Sequence, residues 1–354
     1  MANYAGIFCI LLSWICIKDS IGSHRRLALR YDACHLVLRG VVTESIPSSS
    51  IFTSYWSQIM QPLFSIVIAN YNFGRFLGDA IESVIAQNMG DDVELIICDA
   101  ASPDNSVEVI KKYACGLPPN TSYDEWRSKN NSQLLTWWCS EKDGGQSAAF
   151  NKGFSHAHGR YLTWLNADDI MTSGALKAVA KEIERHPECE WFTGSSLYAD
   201  ADLRITRCFC AHRFSRIKAD WYCISAGGPS SFFTKRLLER VGGVDESLHY
   251  VMDTDLWYKF YRVGGVQYRR TTHNIFAYRQ HEASKMSGAD HNATARALEN
   301  RRKAILESSV LNNRHGLKTG WRNKVARFLS FSIVDNIIAL CRTVKWKGLY
   351  ATEI

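Results

Sequence analysis

Short apolar runs alternate with amphipathic stretches along the middle of the chain, and this pattern predicts strands that alternate with helices. Residues 64–69, 93–98, 134–139 and 161–165 are almost continuous apolar runs with β-branched or aromatic side chains, which is typical of buried strands. Between the first two runs, apolar side chains recur at helical spacing at Phe76, Leu77, Ile81, Val84 and Ile85. This order predicts crossover connections and an α/β fold, with a Rossmann-like, mostly parallel sheet flanked by helices.

The pattern continues after residue 170 with further elements of both kinds. It predicts helices at residues 175–185, 234–241 and 256–262, and strands at 191–198 and 205–210. A last strand precedes residues 278–281. The tail from Arg301 is basic, and residues 325–340 alternate basic and apolar side chains on a predicted helix. That helix lies either on a membrane surface or on the preceding domain, and packing on the domain is favoured.

Three segments divide the chain. Residues 1–59 lack a coherent pattern, because the apolar stretch at 5–17 is too short to span a bilayer and has neither the basic flank nor the cleavage site of a signal peptide. This extension is interpreted as a weak anchor or a non-native start, with the functional protein beginning at Met60 in the second case. Residues 60–290 are predicted to form the main domain, and residues 291–354 a basic amphipathic helical tail.

Composition narrows the compartment and the partners. The 354 residues are 46% hydrophobic and 22% charged, which suits a globular protein with a sizeable core. The net charge of +7 fits a phosphorylated ligand or an anionic membrane surface, although a solvated surface also explains it. The eleven cysteines contain no Cys-x-x-Cys pair, so they predict neither a zinc site nor a disulfide framework, and a reducing cytoplasm is expected. No basic and aromatic motif points to nucleic acid.

Carboxylates collect just after one of the predicted strands. Asp168 and Asp169 follow the strand at 161–165, which is preceded by a Gly-rich turn and a helix of small residues at 143–153. Open α/β sheets bind ligands at the carboxyl ends of their strands. Two adjacent carboxylates repel each other unless they are hydrated, hydrogen-bonded or bound to a cation, and hard oxygen ligands suit Mg²⁺ or Mn²⁺. An isolated pair is equally well explained as a solvated turn, but the flanking segments favour a ligand site.

Four signatures follow one another in a definite order. Residues 65–72 read SIVIANYN, 99–106 read DAASPDNS, 143–153 read DGGQSAAFNKG and lead to LNADD at 165–169, and 253–257 read DTDLW. In this order and on these elements they resemble family 2 glycosyltransferases, enzymes of the GT-A fold, and the likeness covers residues 64–285. The resemblance implies transfer of a sugar from a nucleoside diphosphate sugar, with UDP favoured, to a hydroxyl group of a glycan or lipid-linked glycan.

The resemblance also assigns roles in donor binding. It places the base of the nucleotide against Tyr71 and Asp99, with backbone contacts from Ala69. It places Asp168 at the ribose or sugar and Asp169 on a divalent metal, Mn²⁺ or Mg²⁺. The residue types leave two structural alternatives open, because Tyr71 could pack at a sheet edge and Asp99 could cap a helix.

The same resemblance gives Asp253 the role of catalytic base, which deprotonates the acceptor hydroxyl as the glycosidic bond breaks. Direct displacement with one base inverts the anomeric carbon. His281 would complete the metal shell or meet the diphosphate, and the alternative is an exposed loop histidine. Asp255 is interpreted as a structural helix cap, and Trp257 as a core residue rather than a sugar platform.

Three positions depart from the family pattern. Asn166 stands where the first acid of the metal motif is usual, Met252 stands where an acid commonly precedes the base, and Phe150 replaces an arginine. Asn166 keeps an oxygen ligand but loses a charge, which predicts weaker metal binding. Lys142 or Lys152 could add a cation for phosphate, although most surface lysines have no specific role.

Two other functions fit part of the pattern. A nucleotidyltransferase also needs a nucleotide cleft and a metal, but it would need a Gly-rich basic loop after the first strand, where residues 70–72 read NYN. A glycan-binding or scaffold protein without turnover is supported by Asn166 and Met252 and opposed by the intact carboxylates of the site. The sequence thus predicts an inverting, metal-dependent glycosyltransferase of polysaccharide biosynthesis in the cytoplasm, with a tail that is a candidate for peripheral contact with the inner face of a membrane.

Overall fold

Nine strands form one sheet in the part of the chain that the computed structural model describes, namely residues 61–121, 134–212, 219, 224, 226–284, 295–317 and 333–354. The strands are β1 (Phe64–Asn70), β2 (Val93–Asp99), β3 (Leu135–Ser140), β4 (Tyr161–Asn166), β5 (Ile170–Met171), β6 (Trp191–Ala199), β7 (Ile205–Phe209), β8 (Ser231–Thr234) and β9 (Tyr268–Arg279). The helices are α1 (Gly74–Ile85), α2 (Ser106–Ala114), α3 (Gln146–Ser155), α4 (Ala175–Arg185), α5 (Lys235–Arg240), α6 (Met252–Arg262), α7 (Ala295–Arg314) and α8 (Ile333–Trp346). The predictions for residues 1–59, for the domain boundary at 290 and for the helix at 325–332 fall outside the described residues.

The sheet is parallel in its first half and mixed in its second. Its strand order is β3-β2-β1-β4-β8-β6-β9-β5, and β7 pairs with the last residues of β6. The neighbours β3, β2, β1 and β4 are all parallel, while β8 runs antiparallel to both β4 and β6. A tight turn at residues 200–204 joins β6 to β7, and such a short connection is available only to antiparallel strands. The predicted α/β class is confirmed, with a mixed continuation beyond β4.

Most predicted elements are confirmed within a few residues, and α4 has the predicted bounds. Ile85 is an exception, because it was placed on the buried face of α1 but is 41% exposed as the last residue of the helix. The two residues of β5 were not predicted, since a pair of residues has no periodicity. Tyr278 and Arg279, expected to follow the last strand, belong to β9.

Apolar side chains pack against both faces of the sheet. In β1, Ile66 and Ile68 contribute to one cluster, with α1, α2 and α4, while Val67 contributes to the other, with α3, α5 and α6. All three side chains are fully buried. Two-sided burial explains why β1 reads as a continuous apolar run rather than as an alternating one.

Aromatic stacking fills the core beneath α6. The ring of Trp257 lies between Trp164 and Trp191, with centroid distances of 5.7 and 5.1 Å. Trp257 is fully buried, so its predicted core role is confirmed. Cys98 and Cys208 are also buried in strands, and every cysteine in the described part of the chain is a free thiol.

The predicted helical tail is confirmed, and α8 packs against the sheet next to β7. The backbone N–H of Cys208 donates to Thr343 Oγ1 at 2.9 Å, and Asp335 forms an ion pair of 2.9 Å with Arg270. Packing on the domain, the favoured alternative, therefore holds for α8. Across the described residues, every helix is too short or too polar to cross a bilayer.

Candidate functional site

The carboxyl ends of β1, β2 and β4 meet at one edge of the sheet. Parallel register places Ala69 of β1 between Cys98 of β2 and Asn166 of β4. The residues that follow these strands are therefore neighbours, although up to about a hundred positions separate them in the chain. This edge brings together the first three sequence signatures.

Asp99 joins the ends of β1, β2 and β3. Its buried Oδ1 accepts hydrogen bonds from Asn70 Nδ2 at 2.6 Å and from Ser102 Oγ at 2.5 Å. Its Oδ2 accepts from Ser140 Oγ at 2.6 Å and from the backbone N–H of Ser102 at 3.0 Å. Asp99 is not a helix cap, because Asp104 is the residue that accepts from the first turns of α1 and α2. Asn70 and Ser140 were not predicted as site residues.

Tyr71 lies in the turn after β1 with 60% of its surface exposed. The structural alternative, a ring packed at the sheet edge, is therefore wrong. The turn is fixed by Asn72, which adopts a left-handed φ of 61° and donates its backbone N–H to Ser102 Oγ at 2.9 Å. Asn tolerates this conformation better than most residues. An open aromatic ring beside the half-buried Ala69 can stack on a flat ligand.

The two adjacent acids have different surroundings. Asp169 is fully buried and accepts hydrogen bonds from Asn166 Nδ2 at 2.7 Å and from the backbone N–H of Arg279 at 2.9 Å. Burial, and next the charge of Asp168, raise the pKa of the Asp169 carboxyl well above its usual value. The Arg279 guanidinium is directed instead to Asp79, at 2.8 Å. Arg279 lies more than a hundred residues from the acids in sequence, and no motif indicated it.

His281 lies beside Asp168. Its Nε2 is 3.0 Å from Asp168 Oδ2, and its ring packs against Phe73 and Phe76, with centroid distances of 5.6 and 4.6 Å. The side chain is buried, so the alternative of an exposed loop histidine is wrong. The backbone N–H of Ala283 donates to Nδ1 at 3.3 Å, which favours the tautomer that carries its proton on Nε2.

The donor set at this edge fits a divalent cation. Asp168 and Asp169 offer hard carboxylate oxygens, and a buried acid with a raised pKa gains most from a nearby cation. Each oxygen of Asp169 accepts one hydrogen bond, which leaves a lone pair on each. In the described part of the chain, no group of three or more His, Cys, Asp or Glu side chains is already arranged as a metal site. The fit of this edge to a divalent cation therefore depends on Asp168 and Asp169.

Asp253 lies in the first turn of α6 and is half-buried. Its Oδ1 accepts from the backbone N–H of Thr254 at 2.6 Å and from Thr254 Oγ1 at 3.2 Å. Burial raises the pKa of the Asp253 carboxyl above its usual value. No ion pair to Asp253 occurs among the residues that the structure describes. A partly desolvated carboxylate without a counter-charge is a suitable proton acceptor.

The start of α3 connects the acidic pair to the helix of Asp253. Gln146 Nε2 donates to Asn166 Oδ1 at 2.9 Å, next to the acids. The adjacent Ser147 donates through Oγ to the carbonyl of Leu248 at 2.7 Å and lies 2.8 Å from the sulfur of Met252. Two consecutive residues of α3 thus contact both parts of the site, so the fourth signature also lies at this edge. Asn166 and Met252, two of the positions that depart from the family pattern, therefore both contact the start of α3.

Asp255 has a structural role, as predicted, but it is not a helix cap, since α6 already begins at Met252. Its buried carboxylate contacts Arg314 Nη1 at 3.1 Å and His315 Nε2 at 2.8 Å on the C-terminal side of the chain, and Lys259 Nζ at 3.3 Å. Burial alone would raise the pKa of Asp255, but the hydrogen bond from His315 and the charges of Lys259 and Arg314 hold it below its usual value.

Three further positions are now located. Phe150 is fully buried and packs 5.1 Å from the ring of Trp164, so it takes the place of the family arginine as a core residue. Lys152 forms an ion pair of 2.7 Å with Glu141 at the far end of α3. Lys142 is exposed in the turn before α3. The structure therefore supplies no phosphate contact from Phe150 and engages Lys152 elsewhere.

Comparison with known proteins agrees with the sequence signatures. The sequence profile described as "Glycosyl transferase family 2" matches residues 65–196. The "Minor teichoic acid biosynthesis protein GgaB" of Bacillus subtilis (strain 168) is 32% identical over 124 residues, 35% of this chain and 12% of that protein. The "Uncharacterized glycosyltransferase RP339" of Rickettsia prowazekii (strain Madrid E) is 24% identical over 220 residues, 59% and 62% of the two chains. The crystal structure of S. aureus TarS 1-349 in complex with UDP-GlcNAc superposes with a TM-score of 0.48 at 16% identity, over 80% of this chain and 81% of that one.

The profile match covers the first part of the site and ends before the second. The chain spans less than two thirds of the length of either curated relative. Three of the four signatures lie inside the residues that the profile matches, while Asp253 and His281 lie beyond its end at residue 196.

Proposed function

We propose that this chain, a member of glycosyltransferase family 2, transfers a sugar from a nucleoside diphosphate sugar to a hydroxyl group of a glycan or lipid-linked glycan. The observation that carries the proposal is the junction at the start of α3. Gln146 contacts Asn166 beside the acidic pair, and Ser147 contacts Leu248 just before the helix of Asp253. The acidic pair and the helix of Asp253 are therefore linked through α3, which supports assigning donor binding and the catalytic base to one site.

The nucleotide is assigned to the loop after β1. The exposed ring of Tyr71 stacks on the base, with UDP as the favoured nucleotide, and Ala69 offers its backbone groups. Protein donors occupy about four acceptor positions on Asp99, which is the capacity of a carboxylate. Asp99 therefore holds the loop after β1 through these hydrogen bonds. It contacts the base when the hydroxyl of Ser102 or Ser140 rotates away and frees one of its oxygen lone pairs. The name of the Bacillus relative, a teichoic acid biosynthesis protein, supports a polymeric acceptor.

A divalent cation, Mn²⁺ or Mg²⁺, is assigned to Asp169, with Asp168 facing the ribose or sugar. When bound, such an ion neutralises negative charge on the leaving diphosphate. The raised pKa of the buried Asp169 carboxyl supports the assignment, because a cation relieves the cost of the second charge. His281 holds Asp168 through Nε2, and it would give up that bond to serve as a metal ligand.

Asp253 is the proposed general base. It takes the proton of the acceptor hydroxyl while the acceptor oxygen bonds to the anomeric carbon and the bond from that carbon to the diphosphate breaks. Its raised pKa makes it a stronger base than an exposed aspartate. Attack from the side opposite the leaving group inverts the anomeric configuration.

A thermal-shift screen with nucleoside diphosphates and sugar nucleotides, with and without Mn²⁺, tests the donor site. Ligand at about 100 times its dissociation constant stabilises the folded state by about 2.7 kcal/mol. We expect one nucleotide to raise the melting temperature in a Mn²⁺-dependent manner, and Asp169→Ala to lose the metal-dependent part of the shift. Asp202→Ala, at an exposed position in the β6–β7 turn, is the matched control and should respond like wild type.

Two results would count against the proposal. A well-folded wild type that no nucleotide stabilises would favour the scaffold protein without turnover. If Asp169→Ala shows the same Mn²⁺-dependent rise in melting temperature as wild type, Asp169 does not bind the metal, although the nucleotide site is still supported. Hydrolysis of a sugar nucleotide by wild type, measured in the same buffers, separates an enzyme from a protein that only binds.

We also propose that α8 contacts an anionic membrane surface, on the cytoplasmic side. α8 packs on the domain through polar side chains such as Asp335 and Thr343. It leaves Ile337, Leu340 and Val344 exposed, by 55, 63 and 75%. These positions share one side of a helix. Exposed lysines at the end of α8 and the net charge of +7 complement anionic lipid, which is the reason for choosing a membrane as the occupant.

A further inference from the structure

Three consecutive backbone N–H groups just before α6 donate to one carboxylate, that of Glu307 on α7. The distances from Glu307 are 3.1 Å for His249, 2.7 Å for Tyr250 and 3.3 Å for Val251. The N–H of Val251, the N-cap residue, has no partner inside α6, and the N–H groups of His249 and Tyr250 belong to the segment that leads into the helix. Glu307 therefore caps the start of α6 from a different helix.

A second contact joins the same two helices. Arg314 and His315, which follow Glu307 by seven and eight positions, bind the carboxylate of Asp255 at 3.1 and 2.8 Å. Seven residues are about two helical turns, so Glu307 and Arg314 lie on one side of α7. Side chains of α7 and of the residue after it thus contact the segment just before α6, through Glu307, and the first turn of α6, at Asp255. Asp253 lies between the two contacts.

The segment capped by Glu307 also reaches the donor side of the site. His249 lies against the turn that begins α3, where a Cβ atom built on Gly145 would be 3.5 Å from His249 Cε1. This is an ordinary contact distance, and Gly145 itself is required by the backbone of the turn, because its φ of 109° is one that side-chain-bearing residues rarely adopt. A shift of residues 249–251 would move both the His249 ring and the first turn that carries Asp253.

We propose that Glu307 is a positioning residue for the general base Asp253, and that α7 is a working part of the active site rather than a surface tail. The inference rests on the proposed function only for the role of Asp253, since the contacts themselves are observed. Glu307 touches main-chain groups of the segment it caps, while the buried Asp255 cluster carries the tertiary anchor between the helices. Loss of Glu307 therefore releases residues 249–251 while the anchor persists.

Steady-state kinetics with the donor identified in the screen test the inference in the full-length protein. Misplacement by about 1 Å at a reacting group can cost on the order of 100-fold in rate. We expect Glu307→Ala to lower kcat by about 10- to 100-fold with little change in the KM for the donor, and Glu307→Gln, which keeps an acceptor oxygen, to lower it less. Glu299→Ala is the control, because Glu299 is exposed on the same helix and its ion pair within the described residues is a long one of 3.8 Å to Lys303.

Amide hydrogen exchange gives a second readout that does not depend on turnover. Glu307→Ala should speed the exchange of residues 249–251, while the amides of β1 keep the wild-type rate. Unchanged exchange in Glu307→Ala would overturn the cap itself. Faster exchange with an unchanged kcat, or with a raised donor KM alone, would overturn the positioning role. A wild type that turns over no sugar nucleotide would defeat the proposed function instead, and the exchange result would still decide whether Glu307 holds the segment.

Discussion

Asn166 shows why one missing acid does not disable the site. A third carboxylate beside Asp168 and the buried Asp169 would add repulsion, which raises the cost of ionising the pair. The Asn166 amide instead donates to Asp169 at 2.7 Å, and its carbonyl accepts from Gln146 at 2.9 Å. The amide thus donates one hydrogen bond and accepts another, whereas an ionised carboxylate can only accept. The predicted decrease in metal affinity stays a prediction. The two hydrogen bonds of Asn166 compensate structurally for the missing carboxylate.

The pKa of Asp253 predicts how activity depends on pH. Burial raises this pKa above the ordinary aspartate value of about 3.9. Because a general base works in its charged form, activity should fall as pH decreases through the raised pKa, so the acid limb of kcat/KM should lie above pH 4. The measurement is a kcat/KM profile at saturating Mn²⁺, which keeps the Asp169 carboxyl ionised. Asp253→Asn should lower kcat by about 100- to 10,000-fold.

Asp202→Asn, a change of the same kind at an exposed turn, should keep both the rate and the profile of wild type. An acid limb at or below pH 4, or an Asp253→Asn variant that retains wild-type turnover, would transfer the role of base to another group.

Single residues in short motifs were predictable from sequence, whereas their partners were not. Asp168 and Asp169 stand in one motif directly after an apolar run, and this position indicated their place in the sheet. Ser140 binds Asp99 from 41 positions away and Arg279 binds Asp169 from 110 positions away. Neither partner lies in a motif of its own. Contacts of this kind depend on the strand order, which a single sequence does not specify.

At the level of elements, the small residues of α3 have a packing reason. A Cβ atom built on Gly153 would lie 2.3 Å from Val67 Cγ1 on β1, which is far inside any normal contact. Only glycine lets the helix approach the strand this closely. The sequence indicated a helix of small residues at this position, and the structure explains it as close docking beneath the site.

The contact between α6 and α7 predicts a stability change that depends on pH. Asp255 is fully buried, and its pKa is held below the usual value by partners that outweigh burial. Stability from a lowered carboxyl pKa is complete above the unfolded-state value of about 3.9 and is lost as pH falls through the folded-state value. Asp255→Asn should therefore lower the free energy of unfolding at pH 7 by about 2–3 kcal/mol, allowing for the partial exposure of Arg314.

Urea unfolding at pH 7 and at pH 3 measures this difference. The gap between wild type and Asp255→Asn should narrow at the lower pH, because pH 3 lies below the unfolded-state pKa of about 3.9 and the unfolded wild type then binds a proton that the folded ion cluster disfavours. Asp245→Asn is an informative comparison, since Asp245 also pairs with Arg314, at a less buried position. An equal loss of stability at both pH values would show that packing, rather than the ion cluster, holds the two helices.

Continuous apolar runs and helical spacing predicted the strands and helices of the first half better than those of the second. β1 to β4 are buried on both faces, and their sequence alone distinguishes them. The antiparallel position of β8 was not evident, because its four residues have too short a pattern to define a partner. The tail could be recognised as helical, but the polar side of α8 that faces the sheet could not, since an amphipathic helix usually buries its apolar side.

At the scale of the whole molecule, the orientation of α8 leads to the last prediction. Ile337, Leu340 and Val344 face outward, while Thr343 and Asp335 bind the domain. If the outward side rests on anionic lipid, wild type should cosediment with vesicles that contain phosphatidylglycerol and much less with phosphatidylcholine alone, and salt should weaken the binding. A variant with Ile337→Ser, Leu340→Ser and Val344→Ser should lose binding.

Ile85→Ser, at an exposed apolar position on α1, is the control and should bind as wild type does. The triple variant keeps Thr343 and Asp335, so the melting temperature should stay near that of wild type and separate lipid binding from folding. Equal binding to neutral and anionic vesicles would remove the electrostatic part of the proposal. Absence of binding to both, together with a concentration-dependent dimer that the triple variant abolishes, would identify the outward side of α8 as an interface between two copies of the chain.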